Sequence, residues 1–71
     1  MSDSGIDYDQ LRDRINRRCK LLSVSSVDGI ADQRLARIRQ DASKISTLEV
    51  TQLANTLHCS IPWLLFGRES P

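Results

Sequence analysis

Ser46-Thr47-Leu48-Glu49-Val50-Thr51-Gln52-Leu53-Ala54-Asn55-Thr56-Leu57-His58-Cys59-Ser60-Ile61-Pro62-Trp63-Leu64-Leu65-Phe66-Gly67 holds the clearest structural signals of the 71-residue chain. Ser46 followed by Glu49 is a capping box, in which each side chain satisfies a backbone N–H at the start of a helix. Val50, Leu53, Ala54 and Leu57 then recur at helical spacing and give that helix, running to about His58, one apolar face. Ser60 opens a second helix. Pro62 is tolerated in its first turn, where no intrahelical N–H bond is required, and Gly67 ends it. Two short helices meeting at a tight corner predict an all-α fold, and no strand pattern appears elsewhere in the chain.

Upstream the same signals recur. Asp7, with Gln10 three residues on, starts a helix whose stripe is Leu11, Ile15, Cys19 and Leu22. Its other faces carry Arg12, Arg14, Arg17, Arg18 and Lys20. Three serines and Gly29 weaken the stretch Ser23 to Ala31, yet Val27, Ile30 and Ala31 call for a short buried helix at about Ser26 to Ile30. Asp32 to Gln40 places Leu35 and Ile38 on one face and Gln33, Arg34 and Arg37 on the other, and Asp41, Ala42 and Ser43 form a turn. The expectation is a compact five-helix bundle at 7–67, with a flexible N-terminal tail at 1–6 and a C-terminal tail at 68–71.

Length and composition narrow the function. A chain of this size buries only about 60% of its unfolded surface, which leaves no room for a second domain or a deep catalytic cleft. Its apolar runs, such as Trp63 to Phe66, are far short of the roughly 20 residues that span a membrane. The acidic start with Asp3, Asp7 and Asp9 lacks the features of a secretory signal. A cytoplasmic protein is expected, with Cys19 and Cys59 as reduced thiols. His58 beside Cys59 makes neither a zinc site nor a nucleophile–base pair, because no further ligands or paired carboxylates stand at usable spacing. No enzyme, cofactor or small-molecule ligand is expected. The net charge of +1 conceals an asymmetry: from Arg12 to Lys44, nine cations face four carboxylates, or +5, and the remainder of the chain is −4. A basic half points to a polyanionic partner or, more plainly, to a solvated charged face.

Leu53-Ala54, Leu57, Ser60, Trp63, Leu64-Leu65 and Gly67 resemble the closing helices of the lambdoid phage repressor and Cro type of helix-turn-helix domain, the XRE family. With the basic first helix and the short polar helix, the resemblance covers about Leu11 to Gly67. It implies a lambda-repressor-like DNA-binding fold and a transcriptional regulator, a repressor that binds a palindromic double-stranded DNA operator as a homodimer. The chain departs from the pattern in three places. It is about five residues short between Leu22 and Leu35, Cys19 stands where an Arg is common, and Arg39 stands where a Glu often pairs with that Arg. The last change frees Arg39 to contact phosphate.

By register with that family, the helix near 32–40 is the reader, and Asp32, Gln33, Arg34 and Arg37 are its base-contacting candidates. Gln33 matches adenine N6 and N7, Arg34 or Arg37 matches guanine O6 and N7, and Asp32 either accepts from cytosine N4 or caps the helix. The two arginines serve alternatively as phosphate contacts. Arg17, Arg18, Ser43 and Lys44 flank the reader and are candidates for the DNA backbone or for ordinary solvated surface. Trp63, Leu64 and Phe66, with the tail to Pro71, form the implied dimer interface, Trp63 being equally a core residue. No aromatic residue interleaves the basic stretch, which disfavours single-strand or RNA stacking. The competing class is a protein-binding helical module, an antirepressor or antitoxin that keeps the fold without a working DNA reader.

Overall fold

A computed structural model describes residues 5–68. The element order is α1 (Tyr8–Leu22), α2 (Asp32–Gln40), α3 (Thr47–Thr56) and α4 (Ile61–Phe66). Among the described residues there is no strand, only an isolated bridge between Val27 and Ile30. The starts of α1, α3 and α4 follow the sequence signals. The Asp7 carboxylate accepts from the N–H groups of Asp9 and Gln10, the Ser46–Glu49 capping box is complete, and Ser60 accepts from Trp63 N–H. No helix of the described residues is long and apolar enough to cross a membrane.

The helix expected at Ser26 to Ile30 is absent, so four helices replace five. Ile30 N–H donates to Val27 C=O at 3.1 Å, closing a four-residue turn in which Gly29 takes φ +85. That positive φ at the third position is the type II pattern and lies outside the right-handed helix region. A side chain at Gly29 would also begin 3.1 Å from Gln52 Cδ. Val27 and Ile30 are nonetheless buried. Their three-residue spacing fits one side of a turn as well as one face of a helix, so their burial was legible in the sequence and their conformation was not.

The core joins Leu11, Ile15 and Cys19 of α1 to Leu35 and Ile38 of α2, Leu53 and Leu57 at α3, and Leu64 of α4. Helix α1 packs on both α2 and α4, and α3 on α4. Each flank of α1 is tied to its neighbour by polar side chains. On one flank Arg14 donates to the Leu64 and Leu65 carbonyls at 2.8 and 3.0 Å, and Arg18 donates to those of Leu57 and His58 at 2.9 and 3.2 Å. These carbonyls close helices α3 and α4 and have no intrahelical partner of their own. Two arginines four residues apart therefore cap two successive helix ends. On the other flank Asn16 Nδ2 donates to Arg39 C=O at 3.0 Å, and Arg39 Nε donates back to Asn16 Oδ1 at 2.7 Å.

Three smaller expectations are corrected. Helix α3 ends at Thr56, and His58 lies beyond it with φ +53. Ile6, assigned to the N-terminal tail, packs partly buried against the core, whereas residues 1–4 and 69–71 of the two tails lie outside the described residues. Leu64 is fully buried within its own chain and is therefore unavailable to a dimer interface. Beside it Trp63 is half-buried under the Arg18 guanidinium, 5.9 Å from the ring centre, which leaves Phe66 as the exposed member of the expected trio.

Candidate nucleic-acid interface

Helix α2 buries Leu35 and Ile38 and turns Asp32, Gln33, Ala36, Arg37 and Gln40 to solvent. Asp32 is its first helical residue and not its cap. The cap position is Ala31, which has no side-chain hydrogen bond to offer, and the Asp32 carboxylate sits in the first turn, where the helix dipole favours negative charge. Two shallow depressions flank the exposed face. One, of about 310 Å³, is lined by Ala31, Gln33, Arg34 and Arg37. The other, of about 260 Å³, is lined by Arg34, Arg37, Gln40, Asp41 and Lys44. Gln33 and Arg37 of α2 and Lys44 of the following loop are thus brought to one surface.

The fate of each cation decides what this surface can do. Arg14 and Arg18 are engaged with helix-end carbonyls, Arg39 with Asn16, and Arg12 with Asp9 and Asp13. Arg68 stands over the Phe66 ring. Arg34 pairs side-on with Glu49, Nε to Oε2 at 2.7 Å and Nη2 to Oε1 at 2.9 Å, and Nη2 also donates to Lys44 C=O at 2.9 Å. Among the described residues the side chains of Arg17, Lys20, Arg37 and Lys44 are exposed and make no hydrogen bond or ion pair. Two of the expected phosphate contacts, Arg18 and Arg39, are therefore committed inside the protein. Arg39, expected to be free for phosphate, is held by the amide of Asn16.

Ser43 is exposed, and its backbone N–H donates to Asp41 Oδ1 at 2.9 Å, which fixes the turn that presents Lys44. That hydrogen bond, first of all, lowers the Asp41 carboxyl below its ordinary value. Arg34 holds the Glu49 carboxyl down to about 2, and the Ser46 backbone N–H adds to the effect. Burial pushes the Cys19 and Cys59 thiols up, and both cysteines are free.

A pH dependence follows. A carboxylate whose folded value lies below its unfolded one stabilises the fold fully above the ordinary Glu value of 4.5, and that contribution is lost as pH falls through about 2. The difference in melting temperature between wild type and Glu49→Gln is expected to be greatest near neutral pH and to shrink steadily below 4.5. Melts followed by circular dichroism check this, and a gap that does not change with pH contradicts it.

Asn16, Arg14 and Glu49 were missed as members of the framework that holds this surface. Glu49 was legible only as a cap, and the acceptors of Arg14 lie 50 and 51 residues away along the chain. No family model matches the chain, nor does any curated protein or solved structure match it significantly. The resemblance to the phage repressor family therefore stands on the residues quoted for it.

Proposed function

We propose that the protein is a sequence-specific, double-stranded DNA-binding regulator of the helix-turn-helix type, a repressor acting in the cytoplasm, with α2 as the helix that enters the major groove. The observation that carries this reading is the outer face of α2, where Gln33 and Arg37 stand exposed and unpaired beside Lys44 on a shallow basic surface. A helix fits the major groove and reads base edges through such side chains. Gln33 serves adenine and Arg37 guanine, each by a pair of parallel hydrogen bonds, while Arg17, Ser43 and Lys44 serve phosphates.

Nine residues of helix are about 14 Å long, or about four base-pair steps. One copy reads too little sequence for strong discrimination. The protein accordingly acts as a homodimer on a palindromic operator with half-sites about 34 Å apart. Phe66, 41% exposed, Ile61, 40%, and Leu48, 66%, are the apolar side chains on α3 and α4 left for a second copy to cover.

One observation favours the second reading, a protein-binding module. Residues 23–31, where a helix-turn-helix unit has its first helix, contain a turn and no helix, so α2 lacks the neighbour that normally seats it on the duplex. A duplex-binding assay over a salt series separates the two. For the regulator, Arg17→Ala and Lys44→Ala each weaken cognate and random duplex alike and each lower the slope of log affinity against log salt by about 1. The same titration gives two chains per cognate duplex. Absence of duplex binding at low salt favours the protein-binding module.

A further inference from the structure

Arg34 lines both depressions beside α2, yet its charge is not free to act in either. A guanidinium carries five N–H donors in a fixed plane. Here Nε–H points to Glu49 Oε2, one Nη2 hydrogen to Glu49 Oε1, and the other to Lys44 C=O. A two-bond contact with guanine O6 and N7, or with a phosphate, uses Nη2 together with either Nε or Nη1. Both Nη2 hydrogens are engaged, so neither fork is available and only Nη1 remains.

The anion that holds Arg34 is itself fixed. Glu49 Oε1 also accepts the Ser46 backbone N–H at 2.9 Å, and Ser46 Oγ accepts the Glu49 N–H at 3.2 Å, so the carboxylate cannot turn away without undoing the start of α3. Its side chain is 17% exposed, which limits screening by water and salt. A DNA phosphate competing for Arg34 meets an acceptor already in place.

We infer that Glu49 is a specificity-determining residue of the α2 surface: it holds Arg34 side-on, leaving base discrimination to Gln33 and Arg37 and withholding one positive charge from nonspecific phosphate binding. The inference rests on the reading of α2 as the DNA-contacting helix. Specificity is a ratio, and here it gains because the random-sequence term is reduced.

Glu49→Gln tests it. Glutamine keeps the capping role at this helix position but replaces one acceptor oxygen with a donor amide, so the side-on fork cannot form. Two probes are titrated by fluorescence anisotropy over a salt series: a duplex selected by the wild-type protein from a random-sequence library, and a mixed-sequence duplex of equal length. For Glu49→Gln the affinity for the mixed duplex is expected to rise, its log–log salt slope to steepen by about 0.9, and the selected-to-mixed ratio to fall. Adding Arg34→Gln to that variant returns the slope to the wild-type value. An unchanged slope or an unchanged ratio in folded Glu49→Gln overturns the inference. Should that variant not fold, Arg34→Gln alone decides: its selected-to-mixed ratio stays near wild type, and a fall of about tenfold or more, the size of a lost base contact, overturns it. Wild-type protein that binds neither probe, or both equally, removes the DNA reading and this inference together. Selective wild-type binding with an unaltered Glu49→Gln removes this inference alone.

Discussion

Leu64→Ala is expected to cost about 2–5 kcal/mol of folding stability, the usual range for truncating a fully buried leucine. Leu64 has no exposed surface and belongs to the cluster that joins α4 to α1 and α3. Removing its isopropyl group loses the transfer free energy of three carbons and leaves a void that neighbours close only in part. Its carbonyl is also the acceptor for Arg14 Nε at 2.8 Å, so a shift of α4 loosens that bond as well. A domain of this length starts from a small margin, because little of its surface can be buried. The variant should therefore be largely unfolded at temperatures the wild type tolerates. Urea denaturation followed by circular dichroism measures the loss, with Phe66→Ala beside it. Phe66 is exposed at the end of α4 with the Arg68 guanidinium over its ring, and its truncation is expected to cost no more than about 1 kcal/mol. A Leu64→Ala variant as stable as Phe66→Ala would mean that Leu64 is not a core residue.

The contrast between these two residues shows what the sequence could and could not say. Trp63-Leu64-Leu65-Phe66 is a run of four large apolar residues, and a run has no periodicity from which to choose the inward one. The choice is made by α1, because Arg14 and Arg18 dock on the carbonyls around the α3–α4 corner and set how α4 rolls against the core. Local signals were reliable where a cap or a period stated the conformation directly, as at Asp7, Ser46, Ser60, the stripe of α3 and that of α1 as far as Cys19, whereas Leu22, expected to continue it, is exposed at the helix end. They failed at Val27 to Ile30, where two apolar residues three apart fit turn and helix equally.

Charge was legible as a total and illegible as a distribution. The excess of cations between Arg12 and Lys44 is plain in the sequence. Which of them meet solvent depends on carbonyls and carboxylates brought in by the fold, and α1 alone commits two of its arginines to helix ends. The candidate site is accordingly smaller than the composition implied. Arg17, Arg37 and Lys44 remain from a longer set, with Gln33 as the neutral candidate among them.

That reduction sharpens the expectation for the reader itself. If Gln33 and Arg37 contact base edges, Gln33→Ala and Arg37→Ala each remove about 1–3 kcal/mol of discrimination, roughly 5- to 150-fold in affinity for the cognate duplex. Both side chains are exposed and unpaired, so truncation leaves no buried group unsatisfied, and folding stability should hold within about 0.5 kcal/mol. Any loss of binding can then be assigned to the contact and not to the fold. The two variants should differ in their response to salt. Gln33 carries no charge, so Gln33→Ala lowers cognate affinity by a similar factor at every salt concentration and leaves random-duplex binding unchanged. Arg37 adds a charge to both depressions, so Arg37→Ala lowers cognate affinity and also flattens the salt slope, with a smaller loss on random duplex. Each loss should concentrate at one base pair of the half-site: an A·T pair opposite Gln33 and a G·C pair opposite Arg37, so that substituting the matching pair weakens wild type but not the corresponding variant. If both variants keep the cognate-to-random ratio of the wild type, α2 is not the reader.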